Sequence, residues 1–381
     1  MIAHLLKDTV SHSLQPRKED AANDEVSRWP SPPRAGAEPS LLLLALSKDE
    51  RERLKARLAP IRYCDAGAAG YIQAVRQAAH EALPERFLAA LAEQRTSLAP
   101  RPCLVFDNLP TDDEVSGAPV GAERGADHKS GSISENLAVA FAALIGEPYS
   151  ISFEGRDLVN NLTPEPGKER EYTGLGSDVE LDFHIENAAL KFVENLNLSP
   201  TGLVLTGVRQ DPGMPKTRVA DARAALALLD RDDVRLLRGR HFLLRVPYRW
   251  REALGGSSLA QTAPAPLISG CELQPEAHVA FYPDMVQPLT PEATAAFQRF
   301  HRAIQQVSFG LDVTPGRLVY VDNRIALHSR DRFKARYDDA GRPLRWIQRV
   351  FVASSLWNHR SLTQLKERVF EPVVKAALET V

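Results

Sequence analysis

Apolar positions change rhythm near Glu147. From Leu41 to Ile145 they recur mainly at helical spacing. Ser47-Lys48-Asp49-Glu50 has capping-box form, with Ser47 as N-cap and Glu50 at the third helical position. A helix is predicted from there to near Pro60, and a second helical region over 66–94, interrupted at Pro84. PCLVFDNL (102–109) reads as a strand, residues 111–131 as a Gly- and Asp-rich loop, and Ser134–Ile145 as a helix closed by Gly146. Beyond Glu147, short β-type runs alternate with Pro/Gly turns: YSISF, DVELDFHIE, GLVLTGV, HFLLRVPYRW, HVAFY, RLVYVDN and WIQRVFVASSLW. Helical stretches interrupt them at 219–230 and 291–307, the latter opened by Thr290-Pro291-Glu292. Many short strands with turn signals indicate a barrel or sandwich rather than βαβ units. Residues 1–40 hold Pro16, Pro30, Pro32, Pro33 and Pro39 with no sustained apolar period. They read as a mobile tail or, alternatively, a lid segment that orders over a site. One folded domain is expected over 41–381.

Composition narrows the function classes. The 381 residues are 44% hydrophobic and 25% charged with a net charge of -2, which argues against a chain built mainly to hold nucleic acid or anionic membrane. No run of about 18 apolar residues is present, so no bilayer span is expected. The start, MIAHLLKDTV, breaks into charge too early for a secretory segment. Cys64, Cys103 and Cys271 are far apart and form no CxxC, so a reducing cytoplasm is the expected compartment. Nothing bears on oligomeric state.

Two segments carry candidate chemistry. In DVELDFHIE (178–186), Val179, Leu181, Phe183 and Ile185 alternate with Glu180, Asp182, His184 and Glu186. Strand period places His184 and Glu186 on one face with Cα atoms roughly 6–7 Å apart, close enough to converge on one metal ion. Alone, the pattern is better read as a solvated polar strand face than as a metal site. In 319–351, a strand ends at Asp322-Asn323, His328 follows in a polar stretch read as irregular, and Arg345 and Arg349 flank Trp346 beside a β run. A guanidinium among apolar residues needs an anion, supplied by protein or by ligand. His128, His241 and His301 read as structural or surface residues, and Trp250 and Trp357 as packing residues.

These segments resemble the clavaminate synthase-like (TauD-related) branch of the Fe(II)/2-oxoglutarate oxygenases, which includes hydroxylases of free arginine, asparagine and lysine. There the C-terminal stretch runs roughly DNRRAVHGR then FxPRFDGxDRWLxR; here it is DNRIALHSR then FKARYDDAGRPLRWIQR. Upstream, YTGLGSDVELDFHIE is similar to QTSxGSxVxLExHTE. The resemblance covers most of residues 100–355. Departures are Ile185 for the usual Thr, Gly174 for a common Ser, and three extra residues between His328 and Arg345.

The resemblance implies a mainly β fold with α elements: a double-stranded β-helix (jelly-roll) core wrapped by helices. It implies an iron triad of His184, Glu186 and His328, a type that leaves three metal positions open. Arg345 would pair with the distal carboxylate of 2-oxoglutarate, Thr217 would place its hydroxyl on the same cosubstrate, and Arg349 would bind the α-carboxylate of an amino-acid substrate. Asn160 stands where relatives place a Gln near the substrate α-amine. Asp284 lies in a lid-like segment where relatives taking cationic side chains often show Asp-x-Asp; here one acid is missing. Glu186, where a Gly or Ala would mark a halogenase-type site, points to hydroxylation. The expected activity is hydroxylation of an unactivated C–H of a free L-amino acid, lysine or arginine type first and asparagine or glutamine type second. It would use Fe(II), 2-oxoglutarate and O2, and release succinate and CO2. Two alternatives stay open: desaturation, ring closure or oxidation of a carrier-tethered or peptide-bound residue on the same centre, and a jelly-roll binding protein without turnover.

Overall fold

The computed structural model describes residues 41–121, 123–192, 197–248, 250–251 and 260–374. The tail or lid expected over 1–40 lies outside the described residues.

The N-terminal helices follow their sequence signals. Helix α1 (Lys48–Leu58) is opened by a complete capping box: Ser47 N–H donates to the Glu50 carboxylate at 2.8 Å and Glu50 N–H to Ser47 Oγ at 3.3 Å. Pro84 separates α2 (Ala69–Ala82) from α3 (Glu85–Thr96), because the residue before a proline is driven out of the helical region; Leu83 is extended. Helix α4 (Ile133–Ile145) is buried on almost every side, as its near-continuous apolar sequence requires.

That burial comes from position. Helix α4 lies between α1, α2 and α3 on one side and the main sheet on the other. The sheet contains β1 (Leu42–Ala45), β2 (Cys103–Asp107), β3 (Glu147–Ile151) and β4 (Asn160–Leu162). A separate strand, β5 (Leu181–His184), precedes the long β6 (Gly202–Arg209) and β7 (Thr217–Asp221). Two small pairs follow: β8 (Phe242–Leu244) with β11 (Val286–Pro288), and β9 (Ile268–Gly270) with β10 (Pro275–Ala277). The remaining strands are β12 (Phe309–Leu311), β13 (Leu318–Asp322), β14 (Ala326–Arg330), β15 (Trp346–Ala353), β16 (Leu362–Lys366) and β17 (Val369–Val374). The main sheet runs β1-β2-β13-β6-β15-β3-β17-β16, with β4 also pairing β15. A four-stranded sheet runs β12-β7-β14-β5. The fold is therefore mixed α/β around a large sheet.

Strand period sorts β15 between its two faces. Val350 and Val352 join the helix-side core, and Gln348 donates to Glu135 of α4 at 2.8 Å. Ile347 and Phe351 join a second core shared with Phe183, Val219 and Leu327 of the smaller sheet. Arg345 and Arg349 share the parity of that second face.

Several expected elements differ. The 178–186 run is a strand only over Leu181–His184: Glu186 N–H donates to Asn323 Oδ1 at 2.8 Å, and Asn187 turns into the left-handed region at φ 54°. His328 sits inside β14 rather than in irregular chain, held on both sides by β5 and β7. HVAFY contributes only a single bridge, His184 to Ala280. The 219–230 helix shortens to α5 (Ala222–Leu226), since β7 claims residues up to Asp221, and α6 (Arg231–Arg238) follows. Trp357 is 70% exposed under Arg360 and is not a packing residue. The last helix, α7 (Pro291–Val307), has Thr290 as N-cap. No helix among the described residues is long and apolar enough to cross a membrane.

Candidate active site

Cross-strand register brings two distant histidines together. His184, at the end of β5, is the direct partner of His328 in β14, and their ring centroids are 4.2 Å apart. Glu186 follows two residues on, with His328 Nε2 at 3.5 Å from its carboxylate. One ligand atom from each of the three lies within 4.8 Å of the others, and all three residues are buried. His184 Nδ1 faces the Asp182 carbonyl at 2.8 Å, which leaves Nε2 for the centre.

The charge states suit a divalent cation. Burial, with the neighbouring His328, holds the His184 imidazole down to about 4, so it is neutral at pH 7. Burial pushes the Glu186 carboxyl up, but the Arg349 guanidinium and the His328 imidazole outweigh it and hold the group well below the usual carboxylate range. A neutral His184 imidazole beside an ionised Glu186 carboxylate suits metal binding, which needs deprotonated ligands. Two nitrogens and one carboxylate oxygen match a non-heme Fe(II) site better than a closed zinc site of thiolates.

Arg349 is ringed by acids. It donates to Glu186 at 2.6 Å and Glu154 at 2.9 Å, with Asn160 Oδ1 at 3.5 Å. Burial opposes its charge, but the two carboxylates raise its pKa above the usual value. Asn160 faces Arg349 across the β4–β15 register and bonds Ser150 at 2.8 Å, so it stands behind the guanidinium rather than in the cavity lining.

Arg345 is different. It is buried, and among the described residues its guanidinium forms no hydrogen bond or ion pair; it lies over the Phe333 ring at 5.6 Å. Burial pushes it down to about 10, with Asp211 partly opposing. Beside it Arg330, spent on the carbonyls of Thr173, Gly176 and Val179, is pushed down to about 9 by burial and by Arg345 itself. Two buried cations with one carboxylate influence between them leave a place for an anion. Thr217 lines the same cavity, opposite Arg330 in register.

One cavity, partly open to solvent, collects these groups: His184, Glu186, His328, Arg330, Arg345, Arg349 and Thr217 all line it. Asp284 does not. Its carboxylate is taken by Arg245 and Arg251. Glu154 does line the cavity, and no spacing in YSISFEGRD marks it out. It accepts the indole N–H of Trp250 at 2.9 Å, so that buried packing residue also supports the site. In sequence Asn323 marks only a strand end, yet its amide spans Glu186 N–H, Glu186 C=O at 3.1 Å and the Pro200 carbonyl at 2.9 Å.

Comparison with known proteins gives concordant results. The sequence profile of the taurine catabolism dioxygenase TauD, TfdA family matches residues 130–351. L-asparagine oxygenase of Streptomyces coelicolor is 30% identical over 296 residues, 77% of this chain and 83% of the relative. Enduracididine beta-hydroxylase of Streptomyces hygroscopicus is 27% identical over 299 residues, 73% of this chain and 84% of the relative. Among solved structures, asparagine oxygenase in complex with Fe(II), 2S,3S-3-hydroxyasparagine and succinate superposes with a TM-score of 0.74 at 27% identity, over 86% of this chain and 99% of that one. A non-heme iron oxygenase in complex with (3S)-hydroxy-L-Arg, at 22% identity and a TM-score of 0.72, shares the fold over 86% of this chain and 99% of its own.

Proposed function

The chain belongs to the taurine catabolism dioxygenase TauD, TfdA family, and from that premise we propose that it is an Fe(II)- and 2-oxoglutarate-dependent hydroxylase of a free L-amino acid. The observation that carries this reading is the single cavity that joins two imidazoles and a carboxylate, a buried guanidinium unpaired among the described residues, and a guanidinium–carboxylate pair.

His184, Glu186 and His328 hold the iron in this reading. Bound Fe(II) and 2-oxoglutarate supply the activation of O2, with succinate and CO2 as coproducts and one oxygen atom passed to the substrate. Arg345 and Thr217 hold the distal carboxylate of 2-oxoglutarate, whose planar pair of oxygens suits the guanidinium fork. Arg330, pinned to backbone carbonyls, adds positive potential without competing for the ligand.

Arg349 and Glu154 hold the substrate. An α-amino acid is a zwitterion, and the two side chains are a complementary pair 2.9 Å apart. The substrate α-carboxylate turns to Arg349 and the α-ammonium to Glu154, so a zwitterion takes up charges that the protein already balances. Asn160 keeps Arg349 in place through Ser150. Two sheets sharing one apolar core support a double-stranded β-helix reading, with the site between them and residues 41–381 as one catalytic domain. Three free, separated cysteines support a cytoplasmic setting.

The test is a panel of L-amino acids incubated with enzyme, Fe(II) and 2-oxoglutarate. We expect succinate release that depends on one amino-acid class, with a product heavier by one oxygen. A product lighter by two hydrogens would assign desaturation or ring closure instead. Release indifferent to every amino acid would refute the free-amino-acid reading.

A further inference from the structure

Three tyrosines stand beside the metal-ligand set. The Tyr282 ring meets His184 edge-on, with centroids 5.5 Å apart. Tyr172 stacks on Tyr282 at 6.4 Å and 7°, and Tyr248 lies 6.5 and 6.4 Å from the two. Tyr172 and Tyr282 line the cavity with Leu181, Thr173, Gly174 and Pro247. Every charged group of the described lining belongs to the metal, cosubstrate or α-amino-acid sets above, so this remaining wall carries no formal charge. The Tyr282 hydroxyl forms no hydrogen bond among the described residues and is available to an amide or hydroxyl.

Asp284, two residues beyond Tyr282, is already neutralised. One Asp284 oxygen is bound by Arg245 and the other by Arg251 at 2.6 Å, and the Asp284 carbonyl accepts from Arg251 at 2.9 Å. Both arginines are fixed by further bonds. Arg245 donates to Gln261 at 3.1 Å and Gln287 at 3.0 Å; Arg251 donates to the Val246 carbonyl at 2.9 Å and lies over the Tyr248 ring at 4.5 Å. The Tyr248 hydroxyl closes onto the Pro283 carbonyl. Asp284 sits at φ 62°, a conformation that Asp tolerates better than most residues. The cluster of two guanidiniums and one carboxylate carries one net positive charge, so an ammonium or guanidinium brought beside it is repelled.

We propose, resting on the amino-acid reading above, that the substrate side chain is uncharged and is received by Tyr172, Tyr282 and Leu181, and that Arg245 and Arg251 exclude cationic side chains by occupying Asp284. The order of preference expected from sequence, lysine and arginine type first, is thereby reversed in favour of amide and other neutral side chains.

Calorimetric titration tests this without relying on turnover. The enzyme, loaded anaerobically with Fe(II) and 2-oxoglutarate, is titrated with L-asparagine, L-glutamine, L-leucine, L-phenylalanine, L-lysine and L-arginine. We expect a neutral amino acid to bind tightest and both cationic ones to bind at least about tenfold more weakly. In the Arg245→Gln/Arg251→Gln double variant, which frees Asp284, L-lysine or L-arginine gains about tenfold while 2-oxoglutarate binds as before. A cationic amino acid as the tightest ligand overturns the proposal and leaves the amino-acid reading standing. A double variant that binds 2-oxoglutarate normally but keeps the wild-type ranking removes the role of the two arginines. Absence of binding by all six overturns both the proposal and the reading beneath it.

Discussion

At the scale of the residue, pairs close in sequence were legible only with a family pattern beside them. The spacing of His184 and Glu186 suits a metal, but it suits a wet strand face as well. Only the fold brings in His328, 142 positions beyond Glu186 in the chain, as a register partner of His184. Glu154 had no local signal at all, because its meaning lies in Arg349, a residue 195 positions away. Arg345 and Arg349 share one strand parity and yet differ in environment: one guanidinium has no hydrogen bond or ion pair among the described residues, the other holds two acids. Truncating a buried charge partner typically costs about 2–5 kcal/mol, or roughly 30- to several-thousand-fold in affinity. Arg345→Ala is therefore expected to raise the apparent constant for 2-oxoglutarate first, and Arg349→Ala that for the amino acid first, both read from initial rates of succinate release. Exchange of the two effects would show that the roles are swapped. Glu154→Gln, which keeps the shape and removes the charge, is expected to weaken amino-acid binding while leaving the 2-oxoglutarate constant within about threefold. Equal losses for both ligands would make Glu154 a support for the whole site rather than a substrate group.

At the scale of the element, signals confined to a few neighbouring residues were readable and those imposed by partners were not. The Ser47–Glu50 box, the Pro84 break and the Thr290 cap each set an element end from within. The truncation of β5 after His184 was hidden, because Asn323 takes the Glu186 N–H that a longer ladder would have used. Residues 111–131 looked like free loop, yet buried Lys129 is tied to Asp112 at 2.8 Å and to Glu135 of α4. Close approach is equally invisible in sequence. A Cβ at Gly207 in β6 would lie 2.3 Å from the Thr314 backbone, so the strand cannot accept a side chain there without moving its neighbour. Gly207→Ala is expected to destabilise the protein by about 1–3 kcal/mol, measured as a lowered urea midpoint at unchanged slope. An unchanged midpoint would show that the 313–315 segment yields freely. Ser47→Ala should cost less, about 0.5–2 kcal/mol, since it removes one cap at an exposed helix start.

At the scale of the whole molecule, the change of rhythm near Glu147 corresponds to a real division of labour: helices back the main sheet on one face, and the smaller sheet closes the other. Closing that second core buries histidines as well as apolar groups. Burial holds His359 down to about 4, and burial with the nearby Lys191 holds His278 down to about 3. An unfolded histidine titrates near 6.5, so between about pH 6.5 and 4 the unfolded chain binds more protons than the folded one. Stability of the metal-free protein should fall as pH drops through that window, by up to about 1.4 kcal/mol per pH unit for each group, and these two groups should contribute no slope above it. Urea midpoints at pH 7.5, 6.5 and 5.0 check the sign; a His359→Gln variant should show a shallower fall, and an equal one would remove that residue from the account. The central claim is that one cavity couples 2-oxoglutarate oxidation to oxygen insertion in an amino acid. Incubation with Fe(II), 2-oxoglutarate, the responsive amino acid and isotopically labelled O2, read by mass spectrometry, tests it most directly. The account predicts one labelled oxygen in succinate and one in the amino-acid product, in equal amounts, with both lost in His328→Ala; label in succinate alone at every amino acid tried, or undiminished product from His328→Ala, would contradict it.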